Sequence, residues 1–207
     1  YPAIVWLDNR AADQAALLAR KFGGDVYVRT GIPEIVPTWP ACKILWMRQS
    51  EPEIFARADK FLLVQDYLIY RLTGRHVTDG SVSCTSLYYD LIRKTWWDDM
   101  LDAIGIGRKQ VPEIVRPGAA VGALTPEASA LLGLPAEIQI CAGGMDQAVG
   151  ALGAGNIKPG NVSETTGAAL AIQATIADPL IDESRSVPVY EHSVPGQYLF
   201  VPVCPTA

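Results

Sequence analysis

Residues that build metal and redox centres are scarce in this sequence. Its two histidines, His76 and His192, lie far from each other and from any acidic pair, so no ligand spacing for a bound metal is present. Both are expected to be ordinary surface or core histidines. The four cysteines, Cys42, Cys84, Cys141 and Cys204, contain no Cys-x-x-Cys pair and lack the dense spacing of a secreted disulfide scaffold. Reduced, mostly buried thiols and a cytoplasmic setting are therefore expected. Positive charge is also short: Lys and Arg number 17 against 22 Asp and Glu, for a net charge of -5. No basic cluster makes up the deficit, which argues against a nucleic-acid partner. No run approaches the roughly 18 consecutive apolar residues of a membrane helix, because even Phe61 to Tyr70 is interrupted by Gln65 and Asp66. No membrane anchor is expected. The first residues carry neither a Met nor a basic signal-like segment, so further sequence is expected upstream.

What remains is an ordinary globular composition, 49% hydrophobic and 19% charged over 207 residues. That length suits one large domain, or one domain plus part of another. The pattern alternates strands and helices. Tyr1 to Asp8 reads as a strand and Asn9 to Phe22 as an amphipathic helix closed by Gly23-Gly24. Pro33, Pro37 and Pro40 impose a loop before two short helices, Ala41 to Gln49 and Glu53 to Ala58. Phe61 to Leu72 has helical spacing and ends at Gly74, while Trp96 to Ile104 regains a helical period. Thr125 caps a helix that starts at Pro126 and stops at Gly133. Ile138 to Cys141 reads as a strand, followed by the glycine turn Gly143-Gly144 and a small-residue helix from Ala148 to Leu152. Four further strands are predicted at Asn161 to Thr166, Ala169 to Thr175, Val187 to Tyr190 and Tyr198 to Val203.

Four stretches, taken together and in order, resemble the carbohydrate kinases that include xylulose, glycerol, gluconate and ribulose kinases. They are Pro2 to Arg10, with Trp6 and Arg10; Pro40 to Gln49, with Lys43 and Trp46; Asp66 to Gly74, followed by Thr78, Asp79 and Ser81; and Gly143-Gly144-Met145-Asp146-Gln147-Ala148, trailed by Glu164-Thr165-Thr166-Gly167. Thr38 and Ser50 depart from the outer positions of the second stretch, and Glu164 stands where a glycine is common. The resemblance implies an α/β, actin-like (ribonuclease H-like) ATPase fold whose two lobes hold sugar and nucleotide in the cleft between them. Residues 1–155 would be the sugar-binding lobe without its first strands, and residues 156–207 the start of the nucleotide-binding lobe. The family's upstream phosphate hairpin and downstream adenine segment would lie outside this stretch.

The same resemblance implies ATP and Mg²⁺ as cofactors and a small sugar or polyol as substrate, with xylulose the first candidate. A homodimer is compatible with the sequence, which does not fix oligomeric state. Asp146 is the candidate general base, since phosphoryl transfer asks only for late removal of the hydroxyl proton; its alternative is a helix cap. Gln147 would bond a neighbouring sugar hydroxyl, with Trp6 as an aromatic wall or as core. Asp8 and Arg10 would share a strand face with Trp6, or form an ion pair. Thr165, Thr166 and Gly167 would donate to phosphates, or make a plain β-turn. Trp39, Trp46, Trp96 and Trp97 are expected in packing roles, Trp39 nearest the sugar. Other activities stay open: sugar binding without transfer, and an unrelated hydrolase using Asp146.

Overall fold

The computed structural model describes residues 1–167, 170–179 and 184–204. Helix α1 (Ala12–Phe22) buries Ala15, Leu18 and Phe22 at spacings of three and four, and α3 (Pro40–Ser50) meets that stripe with Ala41, Ile44 and Leu45. Between them, α2 (Val26–Thr30) ends at Gly31, whose φ of 74° is left-handed. A Cβ on Gly31 would stand 2.1 Å from the Val189 carbonyl oxygen, so only glycine lets the chain from the far end of the sequence approach here. Helix α4 (Pro52–Arg57) is short, and α5 (Val64–Thr73) stops at the left-handed Gly74 as the sequence predicts.

Strand β1 (Val77–Asp79) pairs in parallel with β4 (Glu113–Val115), and between them lie α6 (Gly80–Ser83), the β2 (Tyr89–Asp90) and β3 (Thr95–Trp96) hairpin, and α7 (Asp98–Ile104). Strands β5 (Ala120–Ala123) and β6 (Gln139–Cys141) are antiparallel and flank α8 (Pro126–Leu132), where Thr125 accepts the Ala128 N–H as its cap. Helix α9 (Asp146–Gly153) then leads to a five-stranded antiparallel sheet built from β7 (Val162–Thr166), β8 (Leu170–Ile176), β9 (Val189–Glu191), β10 (Tyr198–Phe200) and β11 (Val203–Cys204). Strand β8 holds β7 on one edge, and β10 then β11 on the other.

One continuous apolar core joins Phe22, Leu91, Met100 and Ile104 to Val189 and Leu199, so β9 and β10 pack onto the helices of the first half. Among the described residues, no helix is long and apolar enough to cross a membrane. One predicted element is absent: Tyr1 to Asp8 is coil and turn, with Tyr1, Val5 and Leu7 exposed. A strand exists only by pairing, and these residues find no partner strand among those described. Trp96 and Trp97 are core as expected, whereas Trp39 and Trp46 are half-buried. His192 is a fully buried core histidine and His76 stacks on Tyr70.

Asp66 is a buried carboxyl at the start of α5. Its Oδ2 accepts the Leu63 N–H at 2.9 Å, and its Oδ1 has no hydrogen-bond partner among the described residues. Burial pushes this group up to about 6, against the pull of its hydrogen bonds and with the Asp79 charge adding to the rise. A folded-state value above the unfolded one means that the stabilisation is complete below pH 4 and is lost as pH rises through about 6. At one unit per ~1.4 kcal/mol the loss is at most about 3 kcal/mol. Asp66→Asn should therefore gain stability relative to the wild type between pH 5 and pH 8 in urea unfolding; a difference independent of pH would refute this.

Candidate active site

Asp79 builds the site from below. Its fully buried carboxylate takes the Ser81 and Val82 N–H groups on Oδ1 at 2.9 and 3.2 Å, the Ser81 hydroxyl at 2.5 Å, and the Gln65 amide on Oδ2 at 2.7 Å. With its proton given to Asp79, the Ser81 oxygen accepts the Met145 N–H at 2.9 Å. The Thr78-Asp79-x-Ser81 stretch is thus a bracket for the loop before α9. Crowding explains the glycines of that loop: a Cβ on Gly143 would lie 2.7 Å from Gln65 Oε1, and one on Gly144 would lie 2.6 Å from Ser193 Oγ.

Met145 is the residue flanking α9, and Asp146 is the first helical position rather than the cap. Asp146 Oδ1 accepts the Gln147 N–H at 2.7 Å, a favourable place for an anion at the positive end of a helix. Its side chain is exposed. The Tyr190 phenol is pushed up first by burial, then by Cys84 and by the Asp146 charge, which puts the carboxylate in electrostatic reach of β9.

Gln147 is tied to the sheet. Its Oε1 accepts from Gln173 Nε2 at 2.5 Å, and that nitrogen is 3.4 Å from the Thr165 hydroxyl. Gln147 and Thr165 are therefore gathered by Gln173, which no sequence motif marks, with Asp146 next to Gln147 in the chain. Strand parity in the sequence points the other way, grouping Gln173 with Thr175 opposite Leu170, Ile172 and Ile176, yet Ala171, Gln173 and Thr175 are the buried positions of β8. Thr166 donates its hydroxyl to Glu164 Oε1 at 2.7 Å, so Glu164 faces the same way as Thr166. Thr165, Thr166 and Gly167 are exposed at the tip of the β7–β8 hairpin, whose residues 168 and 169 lie outside the described set.

Trp6, Asp8 and Arg10 form a second group. They do not share a strand face, because the backbone turns at Trp6 and Leu7. Arg10 instead grips Asp8 with two parallel bonds, Nε to Oδ1 at 2.9 Å and Nη2 to Oδ2 at 2.7 Å, which is the ion-pair alternative. That guanidinium holds the Asp8 carboxyl down at about 2, and it also lies over the Trp46 ring at 4.8 Å. Trp6 is 73% exposed, which removes it from the core. Lys43 secures the segment by donating to the Val5 and Trp6 carbonyls at 2.7 and 2.9 Å. Lys43→Met should raise amide exchange across residues 1–10 by roughly tenfold or more, since both of its charged hydrogen bonds are lost; unchanged exchange would refute this. Among the described residues, no hydrogen bond or ion pair links this group to Asp146 or Gln147, and no cluster of His, Cys, Asp or Glu could hold a metal.

The spacing of Lys43 and Trp46, the Asp79 bracket and the loop at Asp146 coincide with a match to the model of the FGGY family of carbohydrate kinases, N-terminal domain, over residues 1–153. The chain belongs to the FGGY family of carbohydrate kinases. The xylulose kinase of Escherichia coli K12 is 36% identical over 156 residues, which cover 75% of this chain and 32% of that protein. A gluconokinase of Bacillus licheniformis is 30% identical over 188 residues, covering 90% and 36%. The crystal structure of a xylulose kinase from Rhodospirillum rubrum superposes with a TM-score of 0.91 at 28% identity, over 98% of this chain and 41% of that one. The chain thus spans 32% to 41% of the length of these FGGY relatives. Its α/β architecture is the actin-like ATPase fold of that family.

Proposed function

We propose that this FGGY chain forms the sugar side of an ATP-dependent kinase that phosphorylates a small sugar, D-xylulose first, with Asp146 as general base. The observation that carries the reading is the joining of the Asp146-Gln147 pair to Thr165 through Gln173. That juxtaposition puts a carboxylate, an amide and a hydroxyl-bearing hairpin at one place, as transfer between a sugar hydroxyl and a nucleotide requires. Asp146 takes the hydroxyl proton late in the transfer, Gln147 bonds a neighbouring oxygen, and Trp6, Asp8 and Arg10 are proposed as the other flank of the sugar. Residues 1–155 act as the sugar lobe and residues 156–207 open the nucleotide lobe, a division in line with the family match over residues 1–153.

ATP would supply the phosphoryl group when bound. The residues near the hairpin fit a Mg²⁺-bound polyphosphate: Thr165 offers a hydroxyl, Gly167 a side-chain-free backbone, and Thr166 an oxygen whose proton goes to Glu164, a carboxylate that suits a cation and not a bare phosphate. A cytoplasmic location accompanies a substrate of this kind. D-Xylulose is placed first because so many of the similar relatives are xylulose kinases, and the gluconokinase relative puts aldonates next. ADP release should be measured on the full-length protein across pentuloses, hexuloses, aldonates and polyols. The highest kcat/KM is expected with D-xylulose, and absence of sugar-dependent ADP release throughout would overturn the proposal.

A further inference from the structure

Gln173 sits on β8, 1% exposed, with its amide between Gln147 and Ser163. Backbone groups dictate which way that amide points. Its Nε2 is 3.3 Å from the Ala171 carbonyl oxygen, which can only accept, so this end must be the nitrogen. The opposite end is consistent with this. Asn156 donates through Nδ2 to the Gln173 backbone carbonyl at 2.8 Å and to Ser163 Oγ at 3.0 Å, while its Oδ1 accepts the Thr175 hydroxyl at 2.6 Å. Ser163, accepting from Asn156, turns its own proton to Gln173 Oε1 at 3.1 Å. Gln173 is therefore left to donate to Gln147 Oε1. Gln147 thus turns its carbonyl oxygen to Gln173, and its NH₂ is the end turned away from that bond.

We propose that Gln173 is a positioning residue that locks Gln147 as a hydrogen-bond donor beside Asp146, so that the site selects a substrate presenting an accepting oxygen there. A carbonyl or hydroxyl oxygen meets that requirement; a protonated amino group, which only donates, does not. The inference rests on the proposed sugar-kinase reading and deepens it. Strength comes from the burial of the relay: Asn156, Gln173 and Thr175 are each at most 3% exposed, so an inverted amide would leave a carbonyl facing a carbonyl without water to mediate.

The test is a double-mutant cycle on the full-length protein, with sugar KM, ATP KM and kcat measured for wild type, Gln173→Met, Gln147→Ala and the double variant. Each single variant is expected to raise sugar KM about tenfold, with kcat and ATP KM within about twofold. The double variant should be no worse than Gln147→Ala, because without the Gln147 amide there is nothing for Gln173 to orient. An unchanged sugar KM in Gln173→Met, or losses that multiply to about a hundredfold in the double variant, would overturn the proposal. Should Gln173→Met fail to fold, Gln147→Glu decides. Glutamate still accepts from Gln173 but offers oxygen instead of NH₂ to the ligand, so sugar KM should rise about tenfold or more; an unchanged value overturns the assignment. Wild-type turnover in the same assay separates the two levels: no sugar-dependent turnover sinks the kinase reading, while active wild type with unmoved variants sinks only the role of Gln173.

Discussion

Asp146→Asn in the full-length protein is expected to lower kcat by about 10² to 10⁴ while sugar affinity stays within about threefold. The substitution keeps a side-chain oxygen to accept the Gln147 N–H, so the start of α9 and the Gln147–Gln173 bond should persist. What it removes is the charge able to accept a hydroxyl proton. Phosphoryl transfer passes through a loose transition state in which the proton leaves late, so the base contributes to rate more than to binding. Normal turnover by this variant would show that the carboxylate is a helix-end anion and nothing more. Loss of sugar binding together with rate would show that it holds the ground state instead.

Asp79→Ala should cost about 3 to 5 kcal/mol of stability, the largest loss expected at any single position in the site. The carboxylate has four donors in a fully buried setting, and alanine strands the Ser81 and Val82 N–H groups and the Gln65 amide at once. For a domain of this size the melting temperature should fall by roughly 10 °C. Asp79→Asn, which retains one acceptor, should lose less. Because Ser81 then loses the partner that turns its oxygen toward Met145, kcat/KM should drop even under conditions where the folded state is fully populated. A loss below about 1 kcal/mol for the alanine variant would mean that the bracket is not what holds the loop.

Much of this was legible in the sequence, and the reasons differ by element. The α8 cap at Thr125, the stops at Gly74 and Gly133 and the glycine turn before α9 rest on local backbone chemistry, which short stretches specify completely. Asp146 and Gln147 stand in a loop whose pattern is recognisable from the sequence. Strands β1 and β4 were missed because three residues cannot display a period, and their pairing joins Val77 to Glu113 across a long separation. The strand predicted at residues 1–8 failed for the converse reason: a strand-like composition has no effect without a neighbouring edge. Gln173 is not legible because alternation groups it with Thr175 as the solvent-facing side of β8, and only long-range partners, Asn156, Ser163 and Gln147, make that side the buried one. Asp79 and Ser81 belong to a motif visible in the sequence, yet the service of Ser81 to Met145 depends on a contact 64 residues away in sequence.

The central claim, transfer of phosphate from ATP to a sugar hydroxyl, is tested most directly by ³¹P NMR of the full-length protein with MgATP and D-xylulose. A new phosphomonoester resonance growing in step with ADP is the expected result. Growth of inorganic phosphate alone, or no loss of the ATP γ-signal with D-xylulose or any other sugar tried, would contradict it.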